Sequence, residues 1–433
     1  QVDFTQFKRW YSQAGTPRVG VQTDYADGQL TLTITQTCPS TPDGLEKKPF
    51  HIPIQVALFN RKGKSLPLAN VLLELKEAVQ TFSFEGLEEM PVISLLRDFS
   101  APVILQQETS EEELLMLLRF ESDGFAKWNA AQNLARRCII GFYQSPSSEW
   151  HVPSALLDAY RHVLLDDSLD ASLRADLLTP PTFEDIVATL HHIDVVAIEM
   201  ARDFYRRALG ASLFDEAQAL YQSLWRQEDH SMQQAAYSRR KLRNVCLSLM
   251  MKADESRALS VCQQQFTQAK TMTDQIAGLA LLVNCSESTL RQQAIDQFYQ
   301  QWSADELVLD KWFSLQAHCE LPHTLSAVKA LLLHPLFTFK NPNRVRALVG
   351  AFTQGNLRHF HAADGSGYAF LTEMLVKMDK INPQIAARLA TPFTRWQRLN
   401  EPRQRLMKKE LKILSSGDLS RDLRELVTKS LAD

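Results

Sequence analysis

The spacing of apolar residues changes once along this chain, near residue 105, and this change constrains the fold more than any other feature. Before it, apolar side chains recur at every second position. Leu30, Leu32 and Ile34 alternate with Thr31, Thr33 and Thr35 behind a Tyr25-Ala26-Asp27-Gly28 turn. Ile52, Ile54, Val56 and Leu58 repeat the pattern up to a turn at Asn60-Arg61-Lys62-Gly63, Val79, Thr81, Phe82 and Phe84 continue it, and 92–99 reads as a buried strand. A period of two places one apolar face on a pleated strand. Eight of the 18 prolines and six of the 15 glycines fall in this quarter of the length, a strand-and-turn composition. Residues 1–105 are therefore predicted to form a small antiparallel β-sandwich.

After Ser100-Ala101-Pro102 the spacing becomes three and four. Ser110 with Glu113 forms a capping-box pattern, and Asp123 can cap a helix whose apolar positions are Phe125, Trp128, Ala131, Ala135, Cys138, Ile139 and Phe142. Similar patterns cover 155–165, 183–191, 197–209, 214–225, 233–251, 256–269, 274–282, 290–302, 323–333, 345–352, 368–378, 384–396, 403–414 and 419–431. Helices of this length with short connectors pack antiparallel to their neighbours. No strict repeat period is visible, so 106–433 is predicted to be a large all-α superhelical domain, helical-repeat-like in its stacking. The fold class is thus β followed by α, in a chain of 433 residues, too long for one hydrophobic core.

Composition excludes several functions. The net charge of −3 supplies no electrostatic footprint for nucleic acid or for an anionic membrane. No apolar run approaches the ~18 residues of a membrane span, and no secretory leader pattern opens the chain. Six cysteines lie singly, without a C-x-x-C, as free thiols in a reducing, cytoplasmic compartment would. Gln1 in place of methionine suggests a piece of something longer.

Motifs that could carry chemistry fail on spacing. In His318-Cys319-Glu320-Leu321-Pro322-His323 the histidines are five apart, the glutamate is one place late and Pro322 interrupts the turn, so a zincin helix is excluded. The H-x-E start lacks the P-C-x-x-C of a zinc deaminase. His359 and His361 have no third ligand nearby, and His361 is expected to bond the Asp364 turn. His191-His192 diverge on a helix, and His51 reads as a strand-face residue. Gly365-x-Gly367 lacks a dinucleotide site's context and reads as a turn. The basic runs 239–243 and 403–409 read as solvated helix faces, and Trp302, Trp312, Phe313 and Trp396 as core. No catalytic or metal-binding residue is assigned.

One stretch remains. In NPNRVRALVGAF (341–352) and INPQIAARLA (381–390) each Asn-Pro can open a helix, and Arg346 and Arg388 follow on these helices. With the turn at Asp364-Gly365-Ser366-Gly367-Tyr368 between them, two helix faces could aim two guanidinium groups into one space. Composition and periodicity alone favour a stand-alone helical-repeat scaffold that binds a protein partner.

These phrases, with HAADGSGYAFL (361–371), LDKWFSLQA (309–317), AKTMTD (269–274) and FTQFKRWYSQAGTP (4–17), resemble the C-terminal, non-catalytic half of bacterial aminopeptidase N, a zinc-dependent peptidase of the gluzincin type, in family order across the chain. The resemblance implies a parent zinc aminopeptidase that removes the first residue from peptides. Its zinc motif and its glycine-containing motif for the peptide's amino terminus would lie in the preceding domains, and neither occurs here. It implies that the β-sandwich is a spacer, and that the superhelix closes over the active site to leave a chamber for peptides. The partners would be the parent's own N-terminal and catalytic domains. Arg346 and Arg388 would line the chamber beyond the scissile bond; Arg344 and Arg358 are not included.

Overall fold

The computed structural model describes residues 3–67 and 71–432. The chain forms two compact units, Gln1–Arg137 with Pro153–Pro180, and Cys138–Val152 with Pro181–Asp433.

Among the described residues the first unit holds seven strands, β1 (Arg18–Ala26), β2 (Gln29–Thr37), β3 (Ile52–Phe59), β4 (Leu72–Leu75), β5 (Val79–Phe84), β6 (Val92–Leu95) and β7 (Ile104–Gln107). They make a four-stranded sheet, β5-β2-β1-β7, and a three-stranded sheet, β4-β3-β6. The β1–β2 hairpin turns on Asp27 and Gly28 with φ of 50° and 74°, the left-handed pair a tight hairpin needs. The alternating residues form the core as expected: Leu30, Leu32 and Ile34 of one sheet join Ile52, Ile54, Val56 and Leu58 of the other, with Val19, Val21, Leu73, Leu75, Ile93 and Leu95. β5 lies at a sheet edge and has no fully buried residue, although Phe82 and Phe84 lean on that core.

Two features depart from the expectation. The segment 92–99 is a strand only to Leu95, because Leu96, Asp98 and Phe99 take φ of 57°, 54° and 50°. The Asp98 N–H donates to Asp123 Oδ2 at 3.0 Å, and Arg97 Nη2 reaches Glu121 at 3.0 Å, so side chains rather than a ladder hold this turn. Beyond it, β7 pairs parallel to β1, Arg18 opposite Ile104, in an otherwise antiparallel sheet. Helices Glu111–Phe120, Gly124–Gln144, Ser154–Leu165 and Ala171–Leu177 follow. The Ser110–Glu113 capping box forms, and Asp123 Oδ1 accepts the Ala126 N–H at 2.7 Å.

The second unit is helical apart from its connectors. Helices Val195–Ser212, Phe214–Arg226, Gln234–Ala253, Glu255–Gln268, Met272–Leu282 and Ser288–Trp302 lie close to their predicted bounds; from Phe214 on each packs on the helix that follows it, while Val195–Ser212 packs on Gln234–Ala253. The predicted helix 183–191 stops at Val187, and His192 takes a φ of 52°. The predicted helix 384–396 divides into Pro383–Leu389 and a 3₁₀ segment, Thr391–Arg398, since Pro392 cannot supply an α-helical N–H. Glu306–Ala317 is a helix outside the ranges given above, holding Trp312 and Phe313, and Asp305 caps it with bonds of 3.0 and 3.1 Å.

Residues two hundred positions apart close this unit. Ile193 N donates to Arg398 O and Asn400 N donates to Ile193 O, both at 2.8 Å, a short parallel bridge. Asp194 completes it, accepting Asn400 Nδ2 at 2.8 Å and pairing with Arg403 Nη1 at 3.1 Å. Arg403 is buried and its Nε donates to His361 O at 2.9 Å. The reading of 403–409 as a wholly solvated face is therefore wrong at Arg403, which ties two ends of a helical array together.

Candidate functional site

Both Asn-Pro signals open helices. Asn341 Oδ1 accepts the N–H groups of Asn343 at 3.0 Å and Arg344 at 3.3 Å, and Asn382 Oδ1 accepts that of Ile385 at 3.1 Å, with Pro342 and Pro383 at the first helical positions. Arg344 turns inward and is 3% exposed. It pairs with Asp310, donates to Leu336 O at 2.6 Å, and lies over the Phe313 ring at 5.1 Å. That buried pair anchors the helix start. Arg346, two residues on, is exposed; its Nε donates to Pro342 O at 3.3 Å and its Nη2 to Asn343 Oδ1.

From Arg346 to Gly355 the chain is wound as a π-helix, which the sequence pattern of 345–352 did not foretell. Such windings are rare and concentrate at functional sites. Asn356 closes this one: its N–H reaches Ala351 O, five residues back, at 3.2 Å, and its Nδ2 holds Ala317 O and Cys319 O at 2.9 and 2.8 Å. Gly355 lets His318 in close, since a Cβ there would stand 2.2 Å from His318 Nε2.

The helix Pro383–Leu389 packs on the π segment. A Cβ on Gly350 would lie 3.7 Å from Leu389 Cδ2 and 3.8 Å from Arg346 Cβ, so Leu389 sits over this bare spot beside the Arg346 stem. Arg388, its chain neighbour, is exposed; its carbonyl accepts the Thr391 Oγ1 hydrogen at 2.7 Å, but its guanidinium has no hydrogen-bond or ion-pair partner among the described residues. Behind both lies the helix Ser366–Asp379, started by Gly365 at φ 74°. Gly367 is required there, because a Cβ would meet Phe360 O at 2.3 Å. Arg346 and Arg388 therefore occupy neighbouring, packed helices. Guanidinium groups so placed can donate paired hydrogen bonds to a carboxylate or to carbonyl oxygens.

The rejected motifs are structural. His318 follows the end of one helix and His323 precedes the next. His359 Nε2 meets Glu320 O at 2.9 Å, and His51 Nε2 meets Glu74 at 3.0 Å. His361 bonds the last residue of the Asp364–Tyr368 turn: its Nδ1 lies 2.7 Å from Tyr368 Oη, while Asp364 itself accepts the Ser366 N–H at 2.9 Å. Burial, and then the Arg403 charge, push the His361 pKa down to about 3, so the ring is neutral. Trp312, Phe313 and Trp396 are buried, and Trp302 is half-buried with its Nε1 on Gln275 at 2.9 Å. Among the described residues no group of three or more His, Cys, Asp or Glu is placed to hold a metal ion.

The reading of 239–243 as a solvated face fails at two positions. Arg240 and Arg243 are each 1% exposed. Arg240 Nη1 pairs with Glu228 at 3.0 Å, and Arg243 pairs with Glu228 at 3.2 Å and with Asp274 at 2.6 Å. The signal was present in the spacing: Ala236, Arg240, Arg243 and Leu247 share one helical face, and all four are buried. Charge counting along the run hid it.

Comparison with known proteins follows this division. Residues 111–432 match the family model described as "Domain of unknown function (DUF3458_C) ARM repeats". The chain belongs to this family. Residues 15–108 match its companion, "Domain of unknown function (DUF3458) Ig-like fold". The DUF3458_C chain is 39% identical over its full length to Aminopeptidase N of Escherichia coli, 37% over 99% of its length to that of Haemophilus influenzae, and 36% over 99% to that of Caulobacter vibrioides. It spans about half the length of these curated relatives: 51%, 50% and 50%. The crystal structure of Legionella pneumophila aminopeptidase A in complex with aspartic acid superposes with a TM-score of 0.85 at 29% identity, covering 99% of this chain and 50% of that one.

Proposed function

We propose that this chain is the C-terminal, non-catalytic half of a zinc-dependent aminopeptidase that removes N-terminal residues from peptides. The observation that carries the reading is the whole-length match to half of each aminopeptidase relative. A helical-repeat scaffold acting alone would have no reason to match peptidases from end to end. Zinc would be held by the catalytic domain of the other half. The β-sandwich, residues 1–105, serves as spacer, and the helical part, 106–433, caps and shapes the peptide chamber. The partners are the N-terminal and catalytic domains of the same protein, together with its peptide substrates.

Arg388 binds the C-terminal part of a short peptide, with Arg346 beside it. Two observations support this: the Arg388 guanidinium is exposed without a partner among the described residues, and its helix packs on the rare π winding. We place the protein in the cytoplasm. All six cysteines are free, as a reducing compartment keeps them, and no helix among the described residues is long and apolar enough to cross a membrane.

The test is Arg388→Ala in the full-length enzyme. A charged hydrogen bond contributes about 1.5–3 kcal/mol, so kcat/KM on tripeptides should fall about tenfold to a hundredfold further than on a single-residue chromogenic substrate. Equal losses on the two substrates would overturn the assignment.

A further inference from the structure

The two exposed guanidinium groups are held differently. Arg388 is unpartnered among the described residues, whereas Arg346 is folded back along its own helix, Nε on Pro342 O and Nη2 on Asn343 Oδ1. Among the described residues the Asn343 side chain makes no other hydrogen bond. Its own N–H is satisfied by Asn341, which already caps the helix, and its side chain is exposed. Arginine only donates, so the amide oxygen is the atom that must face it. The contact joins positions i and i+3, adjacent on a helix surface.

A free arginine side chain samples many rotamers, and fixing it on a ligand costs that freedom. A partner that holds Nη2 in the unbound protein removes part of that cost in advance. Nη1 and the second hydrogen of Nη2 remain for an oxygen of the ligand. We propose that Asn343 is a positioning residue for Arg346, ordering its guanidinium for the peptide; this rests on the chamber reading of Arg346 given above.

A double-mutant cycle in the full-length enzyme tests it, with tripeptide hydrolysis as the readout. Asn343→Ala should raise KM about three- to tenfold with kcat changed less than about twofold, since ordering acts on binding. Asn343→Asp should restore KM, because a carboxylate also accepts from Arg346. In an Arg346→Ala background Asn343→Ala should change nothing further. An equal rise in both backgrounds would overturn the proposal, showing that Asn343 acts independently of Arg346. No rise from Asn343→Ala, where Arg346→Ala does raise KM, would remove Asn343 and leave the reading of Arg346 standing. No effect of Arg346→Ala would remove both. Melting temperatures report folding separately, and Asn343→Asp keeps the acceptor if the alanine variant proves unstable.

Discussion

Asp274→Ala should be among the most destabilising single changes in the helical unit. Asp274 is 2% exposed and lies in the first turn of Met272–Leu282, accepting Arg243 Nη2 at 2.6 Å, Thr271 Oγ1 at 2.8 Å and Asn244 Nδ2 at 3.3 Å. Its removal leaves Glu228 as the one carboxylate ion-paired to both buried guanidiniums, Arg240 and Arg243, among the described residues. Breaking such a pair costs about 3–5 kcal/mol, because a desolvated charge loses its partner, whereas an exposed pair such as Glu425–Lys429 is worth about 0.3–0.5 kcal/mol. At about 2–4 °C per kcal/mol for a unit of this size, the melting temperature should drop by about 6–20 °C. Thermal melts followed by far-ultraviolet circular dichroism measure it, with Glu425→Ala as the exposed comparison. Replacing both partners with apolar residues, Arg243→Met with Asp274→Leu, should recover much of the loss. A drop below about 2 °C for Asp274→Ala would refute the reasoning, since water would then be solvating the guanidinium.

Stability should also fall on the acid side through His361, which faces Tyr368, Arg403 and Asp194. Its folded pKa, about 3, lies below the unfolded value near 6.5, so the unfolded chain binds the extra proton first. Stability from this group is complete above about pH 6.5 and is lost as pH falls toward 3, with a slope of up to about 1.4 kcal/mol per pH unit; urea titrations of His361→Gln should lose that slope. Gly141→Ala should stabilise by about 0.5–1 kcal/mol, because the site lies in a helix with nothing within 4 Å of the added methyl. Gly367→Ala should cost at least about 1–3 kcal/mol in the same urea melts, since backbone, not a movable side chain, blocks it. Peptide hydrolysis by Arg388→Ala, and by the Asn343 and Arg346 pair, tests the binding face directly.

Local rules were legible wherever the local pattern and burial agree. The alternation at Leu30–Ile34 and Ile52–Leu58, the Ser110–Glu113 box and both Asn-Pro starts appear as read. Other features were not read from the local pattern, because what fixes them lies elsewhere in the chain. β7 runs parallel because its partner β1 is some eighty residues earlier, and no local spacing encodes that pairing. The π winding of Arg346–Gly355 depends on Asn356 reaching Ala317 and Cys319. Arg240, Arg243 and Arg403 look like solvent-facing cations until Glu228, Asp274 and Asp194 are brought against them.

By itself, the order of residues determined the change from period two to period three-and-four, the caps and turns, and hence a β-sandwich followed by stacked helices, because these depend on contacts a few positions apart. Its phrases also pointed to the aminopeptidase relatives. Only the tertiary structure decided which arginines are buried and which are exposed: Arg344 and Arg346 are two residues apart, and one is locked on Asp310 while the other lies open. A helix position has no intrinsic inside. Burial is set by what packs against it: Asp310, Leu336 and Phe313 close over Arg344, while the Arg346 and Arg388 side chains remain exposed.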